Sequence, residues 1–130
     1  MGTRQGAVLP DASVLPVRPE RGCMSTVIVQ AGACGFMTTI VVEKTKDGNM
    51  AVTLDTKCEM VQKMCGDIAL LNRFSPLTGF LNNPVYLSAA KHLKHTACPV
   101  PSGILKAVEV EAGLNVAKDA TIHIVKKEQR

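Results

Sequence analysis

The chain has 130 residues, with 15 Lys and Arg against 11 Asp and Glu for a formal net charge of +4. This length suits one domain with its own core, and with 46% hydrophobic and 20% charged residues most of the chain should fold. The basic residues are scattered (Lys44/Lys46, Lys91/Lys94, Lys126/Lys127) rather than gathered with aromatics, which argues against nucleic-acid binding, and no apolar run approaches the roughly 20 residues of a membrane span.

No charged start followed by an apolar stretch and a small-residue cleavage site appears, so a cytoplasmic protein is expected. Thiols stay reduced there, and five cysteines, an odd number, read as ligands, nucleophiles or core residues rather than paired bridges. With three Phe, one Tyr and no Trp, the core should be aliphatic.

Residues 1–23 differ in composition from the rest of the chain. They hold Pro10, Pro16 and Pro19 and no amphipathic period. They read as a disordered extension, or as upstream sequence before a natural start at Met24, with residues 24–130 as a single domain. Cys23 falls in this tail and carries little weight as a ligand.

Thr26–Gln30 and Met37–Lys44 are β-branched and predict two strands. Between them lies Gly32-Ala33-Cys34-Gly35-Phe36, a tight connection whose backbone N–H groups could face a ligand. An Asp47-Gly48 turn then leads to a third strand, Met50–Asp55. Thr56-Lys57-Cys58-Glu59 matches a capping box, with Thr56 as N-cap. The helix it opens runs to about Leu71, with Met60, Val61, Met64, Ile68 and Leu71 as its core stripe. Asn72–Asn82 is a loop. Asn83-Pro84 predicts a second helix, capped by Asn83, to about Leu93. After a loop at His95–Pro101, a third helix opens at Ser102 or its neighbours and ends near Gly113, and Thr121–Val125 closes the domain as a strand. The expected fold is α+β: a three-stranded meander, three helices, and a C-terminal strand completing a mostly antiparallel sheet packed on the helices.

Short connections favour antiparallel neighbours. Following the chain up and down on that rule brings Cys34, Cys58, His92, His95 and Cys98 to one end. Cys58 in the first turn of helix 1 and Cys98 before helix 3 stand at helix N-termini, where the partial positive charge suits an anionic ligand. Lys57 and Lys106 add positive charge nearby. Cys65 lies two turns below Cys58, about 10 Å by the helical rise, and reads as core. Cys98 is followed by Pro, as cluster cysteines often are, and His95-Thr96-Ala97-Cys98 could supply two ligands to one metal. Cys34, Cys58, Cys98 and His95 are therefore the candidate metal ligands. No Cys-x-x-Cys knuckle is present, and no P-loop, Gly-x-Gly-x-x-Gly, His-Glu-x-x-His or Gly-x-Ser-x-Gly motif.

From Gly32-Ala33-Cys34-Gly35-Phe36 through His95-x-x-Cys98-Pro99-Val100-Pro101-x-Gly103-Ile104 to Lys106-Ala107-Val108-Glu109-Val110, the chain resembles a family of small prokaryotic proteins built on a domain of unknown function. The resemblance covers roughly residues 26–126. It implies one domain and the later start, and names no reaction. A-type iron–sulfur carriers also use three cysteines and a Gly-rich turn, but they place the last two as Cys-Gly-Cys near the C-terminus. Here Cys98 stands alone and Thr121–Arg130 has no cysteine, so membership is excluded.

The leading expectation is a metal- or iron–sulfur-binding protein with a redox or cluster-carrying role. A [4Fe–4S] cluster is the first choice and zinc the second. The alternatives are a metal-free thiol enzyme or redox protein using Cys34 or Cys98, with His95 as base, and a small interaction subunit whose cysteines only pack. An unidentified protein partner or a homodimer fits any of these.

Overall fold

A computed structural model describes residues 24–128. The expected disordered tail at 1–23, with Cys23, lies outside the described residues. In chain order the elements are β1 (Met24–Gln30), β2 (Met37–Lys44), β3 (Met50–Thr56), α1 (Glu59–Ile68), β4 (Leu70–Leu71), a 3-10 turn at Ser75–Leu77, α2 (Pro84–His92) and α3 (Val100–Glu111). The fold is α+β, with an antiparallel sheet in the order β1-β2-β3-β4.

The strands alternate as a half-covered sheet requires. Val27 pairs with Ile40, which pairs with Leu54, and Val29 pairs with Thr38, which pairs with Thr56. These side chains, with Val42, Met50 and Val52, share the face that the helices cover. Two polar residues sit within it. The Thr38 hydroxyl donates to the Thr56 hydroxyl at 2.9 Å, so neither buried oxygen is stranded. The Asp47-Gly48 turn joins β2 to β3 with Gly48 at φ 87°, and the Gly48 N–H donates to Thr45 O at 3.0 Å.

Helix α1 buries Val61, Met64 and Ile68, three of the five residues of the expected stripe, while Met60 is half-buried. It runs antiparallel to β3, from the Thr56 level down to Ala69, whose carbonyl accepts from Val52 N–H at 2.9 Å. Helix α3 buries Val100, Ile104, Ala107 and Val108, each worth about 1–3 kcal/mol when shielded from water. Its direction is fixed at two points. Gly103 sits directly on β1 and β2: a Cβ there would meet Val29 Cγ2 at 2.5 Å and Ile40 Cδ1 at 3.2 Å. At the other end, Glu111 accepts from the Ser25 hydroxyl at 2.7 Å and from Lys44 N–H at 3.1 Å. Helix α3 therefore runs antiparallel to β1, from its Gln30 end to its Met24 end.

Helix α2 is capped as its sequence predicts. Asn83 is buried, its Oδ1 accepts from Val85 and Tyr86 N–H, and its Nδ2 donates to Pro76 O at 2.7 Å and Gly79 O at 2.9 Å. One side chain thus starts the helix and ties down the loop before it.

Four boundaries differ from expectation, the first being β1, which opens at Met24 rather than Thr26. Thr56 is not the N-cap of α1. It stays in β3, bonded to Thr38, while its hydroxyl accepts from Cys58 N–H at 3.1 Å, and Cys58 is the N-cap with no side-chain capping bond. Helix α1 stops at Ile68 because Leu70–Leu71 pairs with Ala51 and Met50 as β4; Leu71 is buried as the helical period required, but from a strand. Helix α3 begins at Val100, two residues early, since Pro101 fits its first turn.

The fourth strand is therefore Leu70–Leu71, and the expected C-terminal strand at Thr121–Val125 does not form. After Glu111 the chain turns through Gly113 at φ 78°. Residues 114–128 then continue without regular structure and exposed. A strand needs a ladder partner, and this segment meets none among the described residues.

Candidate functional site: the thiol end of the sheet

The β1–β2 connection turns at Ala31–Phe36. Gly32 and Gly35 adopt φ 90° and 76°, and a Cβ at either would meet nothing, so their backbone angles rather than crowding require glycine. The turn closes on itself: Ala31 N–H donates to Phe36 O at 3.2 Å and Gly35 N–H to Gly32 O at 2.9 Å. Those two donors are spent in the turn and do not face a ligand. Cys34 stands exposed at the tip. Two shallow depressions flank the turn, one lined by Phe36, Met37, Thr39, Asp55 and Lys57, the other by Gln30, Ala31, Gly32 and Phe36.

Cys58 follows Thr56, whose partner Thr38 lies one residue from the start of β2, so Cys58 is at the same end of the sheet as Cys34. Cys98 precedes α3, whose start lies at the Gln30 end, and so belongs there too. The expected common end thus holds for all three cysteines as a matter of topology. Their environments differ. Cys58 and Cys98 are half-buried against the core, while Cys34 is open. His95 is exposed in the loop before Cys98, and its carbonyl accepts from Cys98 N–H at 3.1 Å. Among the described residues, no three His, Cys, Asp or Glu side chains are grouped so as to hold a metal ion together. Cys65 is half-buried within α1.

The route to this end is not the expected one. His92 does not reach it. Its Nε2 lies 3.1 Å from Asp67 Oδ2, beside the C-terminal end of α1, and Asp67 is nine residues, roughly 13 Å, along the helix from Cys58. Residues 93–99, not α2, carry the chain back to the thiol end; seven residues can span up to about 23 Å.

A cluster that sequence reasoning missed lies at this opposite end. The Ser88 hydroxyl donates to Asp67 Oδ2 at 2.7 Å, and the Lys91 ammonium lies 3.5 Å from the same oxygen. Ser88, Lys91 and His92 stand three and four residues apart and so share a helix face, which the sequence could have shown; their partner on α1 it could not. The Ser88 hydrogen bond, helped by the Lys91 charge and the His92 contact and opposed by desolvation, holds the Asp67 carboxyl below its ordinary value. Ser, His and Asp are all present, but the hydroxyl is bonded to the carboxylate and not to the imidazole, so the set lacks the nucleophile–base pair of a catalytic triad. It fastens α2 to α1.

Fold and site together define a small α+β protein in which Cys34, Cys58 and Cys98, free thiols among the described residues, lie toward one end of a meander sheet. The chain belongs to a family of unknown function, DUF6951, whose model matches residues 25–124. Comparisons with curated proteins and with solved structures return no match. No helix among the described residues is long and apolar enough to cross a membrane.

Proposed function

We propose that the protein acts through the thiols at this end, with Cys34 as the residue that meets its ligand or reaction partner. The observation that supports this reading is exposure: of the four described cysteines, Cys34 alone is open to solvent, and both depressions open beside its turn. In the form these positions favour, Cys34 is a metal-free nucleophilic or redox thiol, kept unpaired by reducing, cytoplasmic surroundings. Lys57, on the wall of one depression, supplies positive charge to an anionic partner.

A second reading rests on the common end of Cys34, Cys58 and Cys98. With His95 they would ligate a [4Fe–4S] cluster, or zinc, in a redox or cluster-carrying role. Thiolate sulfurs suit both, but this form requires the 31–36 turn and the 93–99 loop to draw together around Cys58.

Anaerobic purification from iron-supplemented cells, with metal analysis and absorption spectroscopy, separates the two. Metal-free protein whose Cys34 reacts selectively with a thiol reagent supports the first form. Stoichiometric iron or zinc, lost in Cys34→Ser, Cys58→Ser and Cys98→Ser alike, supports the second. Metal-free protein whose cysteines all react slowly and equally contradicts both and leaves them as packing residues.

A further inference from the structure

The sheet has an unprotected edge. Among the described residues β1 is the terminal strand, and its outer side has no ladder partner there along Met24-Ser25-Thr26-Val27-Ile28-Val29-Gln30. Edges left open to water are usually guarded by charge, proline or a bulge. β1 has none of these: no residue in it is charged or proline, and its register against β2 is unbroken. The same chain carries a C-terminal segment that is exposed and joins no element among the described residues. Thr121-Ile122-His123-Ile124-Val125 is β-branched at four of its five positions, and Ile122 and Ile124, which alternation puts on one side, are 78% and 85% exposed. Leu114, Val116 and Val125 are exposed in the same segment. Uncharged edge and uncharged arm are complementary, each supplying the ladder the other lacks.

We infer that the protein is a twofold dimer in which residues 121–125 of each copy add as a strand to the β1 edge of the other. The arm is the occupant because it is the described segment with strand-forming sequence and no ladder partner. The second copy receives it because, in its own chain, the segment stands clear of β1 with residues 114–128 exposed throughout. Reciprocal exchange between two copies closes the assembly, satisfies both edges and buries both sets of isoleucines. Lys126 and Lys127, just past the pairing segment, hinder a further strand from stacking on. This inference is independent of the thiol reading, since the arm leaves α3 at the end remote from Cys34.

The test uses the full chain. Light scattering after size exclusion should give about twice the 13.9 kDa chain mass, and Ile122→Asp/Ile124→Asp should bring it to the monomer with its helical circular dichroism and urea-unfolding midpoint retained and only the signal of the added strands lost, since both side chains are exposed within the chain. Lysine cross-linking of an equal mixture of unlabelled and 15N-labelled chains should give mixed-mass links from Lys126 or Lys127 to Lys44. A wild-type monomer, a dimer that survives the double substitution, or links confined to one chain would each overturn the inference, the last showing that the arm returns to its own sheet.

Discussion

Gly103 is where α3 meets the sheet most closely, so Gly103→Ala tests the packing that brings Cys98 to the thiol end. Gly103 is the fourth residue of α3, and within a helix the change should stabilise by up to about 1 kcal/mol from propensity alone. The new Cβ, however, meets Val29 Cγ2 at 2.5 Å, Ile40 Cδ1 at 3.2 Å and Val27 Cγ1 at 3.5 Å. Val29 is β-branched and stiff at χ1, and Ile40 is completely buried, so neither swings aside freely. Overpacking of this kind costs roughly 1–3 kcal/mol. The steric cost exceeds the gain in helix propensity, and the variant should be less stable by up to about 2 kcal/mol. Val29→Ala removes the nearest methyl, so Gly103→Ala should cost less in that background, with a coupling of about 0.5–3 kcal/mol. Urea unfolding of the four proteins measures this, provided m is shared. A Gly103→Ala protein more stable than wild type, and additive with Val29→Ala, would refute the docking of α3 and with it the placement of Cys98.

Asn83→Ala should cost about 2–4 kcal/mol, combining a lost N-cap with carbonyls at Pro76 and Gly79 left without their donor. Asn83→Asp discriminates further: Asp is a good N-cap, yet it turns an oxygen toward those two carbonyls, so it should also destabilise in chemical denaturation, and a neutral result would show that the loop contacts contribute nothing. The Asp67 carboxyl is held below its ordinary 3.8, so its contribution is present above that value and fades as pH falls through the lowered one. The melting-temperature gap between wild type and Asp67→Asn should therefore be constant near neutrality and shrink in acid; a gap that widens in acid contradicts the assignment.

The β-branched runs at Thr26–Gln30, Met37–Lys44 and Met50–Asp55 were legible because alternation and a Gly-containing turn agree on the same register. Asn83-Pro84 was legible because cap and first turn are local chemistry. Leu70–Leu71 was not, since a two-residue strand carries no period and its partner, Met50–Ala51, is distant in sequence. The capping box at Thr56 failed because the hydroxyl had a tertiary partner, Thr38, that local reasoning cannot see. Thr121–Val125 has strand composition but finds no strand to join among the described residues, and composition cannot name a ladder partner. At the site, the end to which Cys34, Cys58 and Cys98 belong follows from chain direction. Their separate environments depend on packing at the Cys58 and Cys98 side chains, which no spacing records.

The most direct measurement is the rate at which each cysteine is alkylated at neutral pH, resolved by mass, in the native protein and in urea. If the turn end is a working thiol site, Cys34 reacts before Cys58, Cys65 and Cys98, and faster in the native protein than in the unfolded chain, because the fold and not mere exposure then sets its reactivity. A native Cys34 that reacts no faster than the unfolded one, or in step with the half-buried three, would contradict the account.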